Sequence, residues 1–290
     1  MVLDYLANLS SPLIMGVLLG GLYALIALGL SLVFGVMKLI NVAHGDMVII
    51  GSYLAYVAIT IMGIDPILSL VMGIPLLFLV GFGIQKYLMR RAFGISMEAP
   101  LIIAFGISLI LENLAQIIWS PLSRGLTPSY SLISFSIGDA HVPLSYLLDF
   151  IAALVVMLCL RQFLRRTYLG KAINAASQDR IAALLMGVNT ERVYAFAFAI
   201  AMGTAAIAGV FLGLTFPFNP TSGVSFLIIA FGVIIIGGLG SMLGTFIGGI
   251  VLGLAQTLGA YFFGAAAQML VTYIIVLVVL SVRPQGIFGH

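Results

Sequence analysis

The residues able to do chemistry in this chain are few, and they are set in apolar surroundings. His44, His141 and His290 lie far apart, and no Ser-His-acid grouping or HExxH pattern accompanies them. A phosphate-binding loop of the form GxxxxGK[ST] is missing too. Gly170-Lys171 is followed by Ala172, and no glycine sits five residues before Gly170. Without that loop the chain is not expected to bind ATP itself. The single cysteine, Cys159, lies in an apolar run, so no internal disulfide can form and a metal cluster is not expected. No cofactor is expected on this chain.

Two polar groups remain. The first is Asn41-Val-Ala-His44-Gly-Asp46, which follows Lys38 and is wedged between apolar runs with little loop around it. It reads either as a helix start, with Asn41 as cap and Asp46 offsetting the helix dipole, or as a polar break lining a path. The two readings are compatible. The second is Glu112, Asn113 and Gln116 inside a fourth apolar run. Intramembrane polar groups are costly and face a cavity or each other. Gln116 shares a helix face with Asn113 and with Glu112. These six residues are the candidate translocation path. Of carboxylates deep in the bundle, Glu112 is taken as the one able to couple an ion.

The elements that must hold these groups are membrane helices. The chain of 290 residues is 62% hydrophobic and 7% charged, with mean hydropathy +1.25. Soluble domains carry roughly a quarter charged residues, which excludes that class. The net charge of +3 does not suggest a nucleic-acid partner. The N-terminus lacks a basic region and cleavage site, so no cleaved signal is expected. The fold class is all-α, one polytopic helix bundle over 1–290 of about eight or nine membrane segments, some broken or re-entrant.

Taken in order, spans are expected at about 12–34, 47–64, 67–86, 100–119 and 144–164, with a turn at Asp65-Pro66. Residues 120–143, with Pro121, Pro128, Gly138 and Pro143 and alternating Ser and aliphatic residues over Tyr130 to Ile137, read as an exterior loop that can hold a short hairpin. Trp119 and Tyr130 would suit the outer interface, and Lys38 an interface charge. Residues 193–282 carry no charge and allow four crossings, with breaks at Pro217–Pro220, Gly237–Gly240 and Gly264. Gly16, Gly20, Gly21 and Gly29, and the series Gly240, Gly244, Gly248, Gly249 and Gly253, read as close helix packing. Residues 21–58 and about 223–260 each run helix, glycine-marked break, helix, as an internal repeat would.

The most charged stretch is 161–192. It gathers Arg161, Arg165, Arg166, Lys171, Arg180 and Arg192 against Asp179 and Glu191. Basic loops mark the cytoplasmic side, which gives an exterior N-terminus. Within it, 174–189 reads as one small amphipathic helix with Ser177 as N-cap, Asp179 in the first turn and Gly187 as stop. Ala182, Leu185, Met186 and Val188 are expected to face outward, toward a partner.

Four stretches carry a resemblance. Residues 167–189 resemble the cytoplasmic coupling loop of ABC importer permeases. Asn41-Val-Ala-His44-Gly45-Asp46 looks like the signature of the branched-chain amino acid permeases of the Liv type. Gly237-Gly238-Leu-Gly240-Ser241-Met-Leu-Gly244 and the ending Arg283-Pro284-Gln285-Gly286-Ile-Phe288-Gly289 are similar to further motifs of that family. The resemblance implies an H-type permease of an importer for branched-chain amino acids in the bacterial inner membrane. Its partners would be two ATP-binding cassette ATPases carrying ATP-Mg, an extracytoplasmic binding protein, and a second permease, M-type or another copy. It also implies ATPase contact, within a coupling loop of about 165–192, by Ala175, Ala176, Gln178, Asp179, Arg180, Ala183, Leu185 and Gly187. Urea and short-chain amide permeases share similar motifs. A stand-alone carrier or channel is the other class to weigh.

Overall fold

A computed structural model describes residues 2–92, 96, 98–137, 140–283 and 285–288. Gly138, Pro284, Gly289 and His290 lie outside the described residues. The chain opens with α1 (Val2–Met37), longer at both ends than the 12–34 expected. Next come α2 (His44–Ile61) and α3 (Leu70–Gly83), which continues through a π-helical turn (Ile84–Met89) into α4 (Arg90–Ala92). Then α5 (Ala99–Trp119) leads to a 3-10 turn (Ser129–Leu132) and a hairpin of β1 (Ser134–Ile137) and β2 (Ala140–Pro143). The hairpin is antiparallel, Ser134 facing Pro143, and falls inside the expected exterior loop.

α6 (Leu144–Arg166) is followed by the short α7 (Tyr168–Gln178) and α8 (Arg180–Leu185). The last four helices are α9 (Thr190–Thr215), α10 (Ser222–Gly237), α11 (Met242–Phe263) and α12 (Gln268–Val282). The expected breaks at Pro217–Pro220 and Gly264 fall between helices, and that at Gly237–Gly240 begins on the last residue of α10. Among the described residues, eight helical segments are long and apolar enough to cross a membrane, and α10 is a shorter apolar helix. This is a multi-pass membrane protein.

α1 and α9 run through the middle of the bundle and are its most enclosed spans. Glycines set how closely α1 meets its neighbours, because a missing Cβ lets backbones touch. A Cβ on Gly20 would fall 2.9 Å from the backbone nitrogen of Ile250 on α11, and one on Gly249 would fall 2.7 Å from that of Ala24. Such contacts support the packing reading of the glycine series.

Eleven of the twelve basic residues, all but Arg124, lie at one end of the bundle, hereafter the basic end. There Gly35 of α1 meets Gly240 in the α10–α11 turn, and Gly286 packs on Gly238. Arg124 lies at the far end, where Arg124 and Phe218 exchange backbone hydrogen bonds of 2.8 Å. Its guanidinium donates to the Tyr56 hydroxyl (2.5 Å) and the Trp119 carbonyl (2.7 Å). Trp119 stacks on Tyr53 at 4.5 Å, and Phe218 meets the same ring edge-on. Tyr130 donates to Asp65 at 3.2 Å. Burial, then the neighbouring Asp65 carboxylate, pushes its phenol above the ordinary value. Trp119 and Tyr130 are thus tied to their neighbours at the far end of the bundle.

Candidate functional site

The first polar group sits where the chain re-enters the bundle. α1 stops at Met37, Lys38 adopts a left-handed conformation (φ 53°) with an exposed side chain, and the chain turns back. His44 Nε2 then lies 2.9 Å from the carbonyl oxygen of Ile26, about three turns inside the end of α1. So α2 starts at depth. Its N-cap position is Ala43, with no side-chain cap. Asn41 is therefore not the cap, contrary to one of the two sequence readings. It is fully enclosed, and neither end of its amide has a partner among the described residues.

Asp46 lies in the first turn of α2, and one carboxylate oxygen accepts a hydrogen bond from Ser108 Oγ of α5. Asp46 Oδ1 and His44 Nδ1 have no partner among the described residues. Buried polar atoms left unpaired are costly. Asn41, His44 and Asp46 carry such atoms within six positions, and at membrane depth such groups must be surrounded by protein or face water.

A second re-entry meets the first. After α9 the chain descends through Pro217–Pro220, with Phe218 buried, and α10 begins at Ser222. Asn219 Oδ1 accepts from the Thr221 and Ser222 hydroxyls (2.8 and 3.0 Å) and so shapes that turn. Gly223 then packs directly on Gly45 and Asp46. Two helix N-termini thus converge inside the bundle, an arrangement seen where broken helices hold solutes. The re-entrant geometry pairs α1/α2 with α9/α10. The repeat expected over 21–58 and 223–260 looks different, since the α10–α11 turn stays at the basic end.

On α5, Ser108, Glu112 and Gln116 are four apart and share a face. Ser108 is buried at Asp46, Glu112 and Gln116 are half-buried, and Gln116 donates to Glu112 at 3.2 Å. The stripe runs from Asp46 toward the far end. Asn113 does not join it; it is exposed and donates to its own helix at Leu109 (2.7 Å).

Asp149 was missed. Its carboxylate is fully enclosed in α6 and accepts from Thr215 Oγ1 at 2.7 Å, while Oδ1 has no partner among the described residues. With Asp46, it removes Glu112's standing as the one deep carboxylate. A lone acid amid apolar residues 144–160 was the available signal.

At the basic end the expected single helix over 174–189 is two. Asp179 breaks the run in extended conformation and caps α8, its Oδ1 accepting from the backbone of Ile181 (2.8 Å) and Ala182 (3.0 Å). Ser177 is no cap; its hydroxyl donates back to Asn174. Gly187 does end the helix, at φ 82°. Val188 N–H donates to Ala183 and Gly187 N–H to Leu184, both at 3.0 Å, which is a Schellman motif.

Ala176 and Ala183 face inward, and Asn174 donates to Leu164 (3.0 Å), so the pair of helices is fixed to the bundle. Ala175, Gln178, Asp179, Arg180, Leu185 and Gly187 are exposed. Leu185 and Met186 are 83% and 84% exposed. No group of three metal-ligating side chains gathers among the described residues.

Comparison with known proteins settles the class. Residues 13–280 match the family described as "Branched-chain amino acid transport system / permease component". The chain belongs to this permease family. Similar relatives include the high-affinity branched-chain amino acid transport system permease protein BraD of Pseudomonas aeruginosa, 35% identical over 96% of this chain and 95% of that protein. LivH of Escherichia coli K12 is 33% identical over 95% and 94%. A probable LivH of Methanocaldococcus jannaschii is 29% identical over 94% and 90%. Among solved structures, PsaBC from Streptococcus pneumoniae in complex with Fab aligns with TM-score 0.54 over 99% of this chain and 98% of that one. At 14% identity it speaks to the fold alone.

Proposed function

We propose that this permease is the translocation subunit of an ATP-driven importer that carries branched-chain amino acids across the bacterial inner membrane. The basic end faces the cytoplasm, as positive loops do. There α7–α8 seat one of two ATPases, which hold ATP-Mg, since this chain has no phosphate loop in its sequence. A second permease, M-type or another copy, completes the transmembrane unit. A binding protein delivers the solute at the far end, near 120–143. Its path passes Glu112 and Gln116 and reaches Asp46, His44 and Asn41 at the convergence of α2 and α10. Asn113 is left out because it satisfies itself on another face.

The observation that carries the reading is the Leu185–Met186 tip. Two exposed apolar side chains stand on a helix that is capped at both ends and anchored to the bundle. A push on that tip moves the N-terminus of α9, whose cap Asn189 follows the Schellman turn directly. Pull-down of the tagged chain from native membranes tests this. Two ATPases and a second permease are expected with wild type; Leu185→Asp/Met186→Asp is expected to lower recovery of the ATPases and keep the second permease. Equal recovery of the ATPases with that variant would exclude the tip as their seat.

A further inference from the structure

The path and the tip leave one built feature unused. A cleft of about 620 Å³ opens at the basic end between the π-helical turn after α3 and the start of α9. Four cations line it, Lys86, Arg90, Arg180 and Arg192, with Glu191 as the one acid. Glu191 pairs with Arg90 at 2.9 Å, so three positive charges are left over. Two of the cations, Lys86 and Arg180, lie against aromatic rings. The Lys86 ammonium sits 5.2 Å from the Tyr87 ring centre and 5.9 Å from that of Phe82, and the Arg180 guanidinium lies 5.8 Å from the Tyr194 ring.

A second, independent feature marks the inner wall. Gln85 lines the cleft, is 2% exposed, and its side-chain oxygen has no partner among the described residues. That oxygen is an acceptor waiting for a donor. It is placed there by the π turn, which rotates one extra residue inward; such turns cluster at functional sites.

The cleft is also amphipathic along the membrane normal. Above the cations its wall is Phe82 and Phe196, which meet at 5.3 Å. Beyond them, exposed Met72, Leu76 and Leu79 continue up α3 on the face of Phe82 and Lys86. A ligand filling this shape carries phosphate at the mouth, a hydroxyl donor toward Gln85, and apolar chains along α3. Basic pockets between membrane helices take lipid headgroups of this kind.

We propose that the cleft binds one anionic glycerophospholipid, its phosphodiester held by Lys86, Arg180 and Arg192 and a headgroup hydroxyl received by Gln85. The excess of positive charge favours an anionic headgroup such as phosphatidylglycerol over a zwitterionic one. Because Arg180 opens α8, the lipid would also hold that helix against α9.

The test is native mass spectrometry of the full complex released from nanodiscs of mixed phosphatidylglycerol, phosphatidic acid and phosphatidylcholine, with inorganic phosphate added as a competing free anion. Wild type is expected to retain phosphatidylglycerol. Lys86→Gln/Arg192→Gln is expected to retain about tenfold less, while Arg166→Gln, outside the cleft, changes nothing. Gln85→Leu is expected to shift retention toward phosphatidic acid, which lacks the headgroup hydroxyl. This single uncharged change keeps the test available should the double variant not fold. Equal retention in the cleft variants would overturn the proposal. So would displacement of the lipid by phosphate alone, which would make this a soluble-anion site.

Discussion

Gly45 and Gly223 meet backbone to backbone inside the bundle, where α2 and α10 both begin. A Cβ on Gly45 would fall 2.8 Å from the carbonyl carbon of Gly223, and one on Gly223 would fall 2.9 Å from the Asp46 nitrogen. The contact holds the two re-entrant segments together. It also fixes Asp46, and through it Ser108 of α5. The polar node therefore depends on two residues that have no side chains.

Gly45→Val or Gly223→Val should destabilise the chain by about 1–3 kcal/mol or more, since the obstacle is backbone that cannot turn aside. Thermal aggregation in detergent would show the drop. Gly73→Ala, with nothing within 4 Å of the new methyl, should change it little.

Asp46→Asn keeps the shape of the node and removes its charge. Uptake should fall at least about tenfold with normal membrane abundance, as for a buried group whose hydrogen bonding is rearranged. Glu112→Gln should lower uptake less, because that carboxylate is half-buried. Solute uptake at matched expression separates the two, and unchanged rates in both would assign these residues to packing.

Asp179→Ala should cost about 1 kcal/mol, local to α8, by removing the acceptor for two backbone N–H groups. Hydrogen exchange should speed up over 180–185 and stay as in wild type over α9. Uniform behaviour of both would contradict the two-helix arrangement.

Trp119 is the only tryptophan, which makes the far-end aromatic contact directly readable. Tyr53→Ala removes the ring stacked on it at 4.5 Å, and Trp119 emission should shift to the red as water reaches the indole. Emission unchanged from wild type would mean that the stack does not exist in solution.

Much of this fold was legible in the sequence because the signals were local. Apolar run length gave the spans, and Gly187, Gly238, Gly240 and Gly264, all at positive φ, fall at the breaks or stop read from glycine. The glycine series read as packing sits at close backbone approaches. What escaped depends on depth and on partners far away in sequence. Nothing near Asn41 tells that His44 returns to the level of Ile26. Nothing near Pro217 tells that α10 begins against Asp46. The break at Asp179 was hidden because Ala, Leu and Ile on both sides favour one continuous helix, while the aspartate side chain competes for the backbone. Asp149 was passed over because its partner, Thr215, lies 66 residues on.

The central claim is ATP-coupled movement of branched-chain amino acids through this chain, driven at Leu185–Met186. Its most direct test is leucine uptake into proteoliposomes holding the full complex, with the binding protein at the far end and ATP at the basic end. The account predicts ATP-dependent accumulation of leucine and valine but not urea, lost with Leu185→Asp/Met186→Asp. Leucine movement by this chain alone without ATP, or uptake of urea in place of leucine, would contradict it.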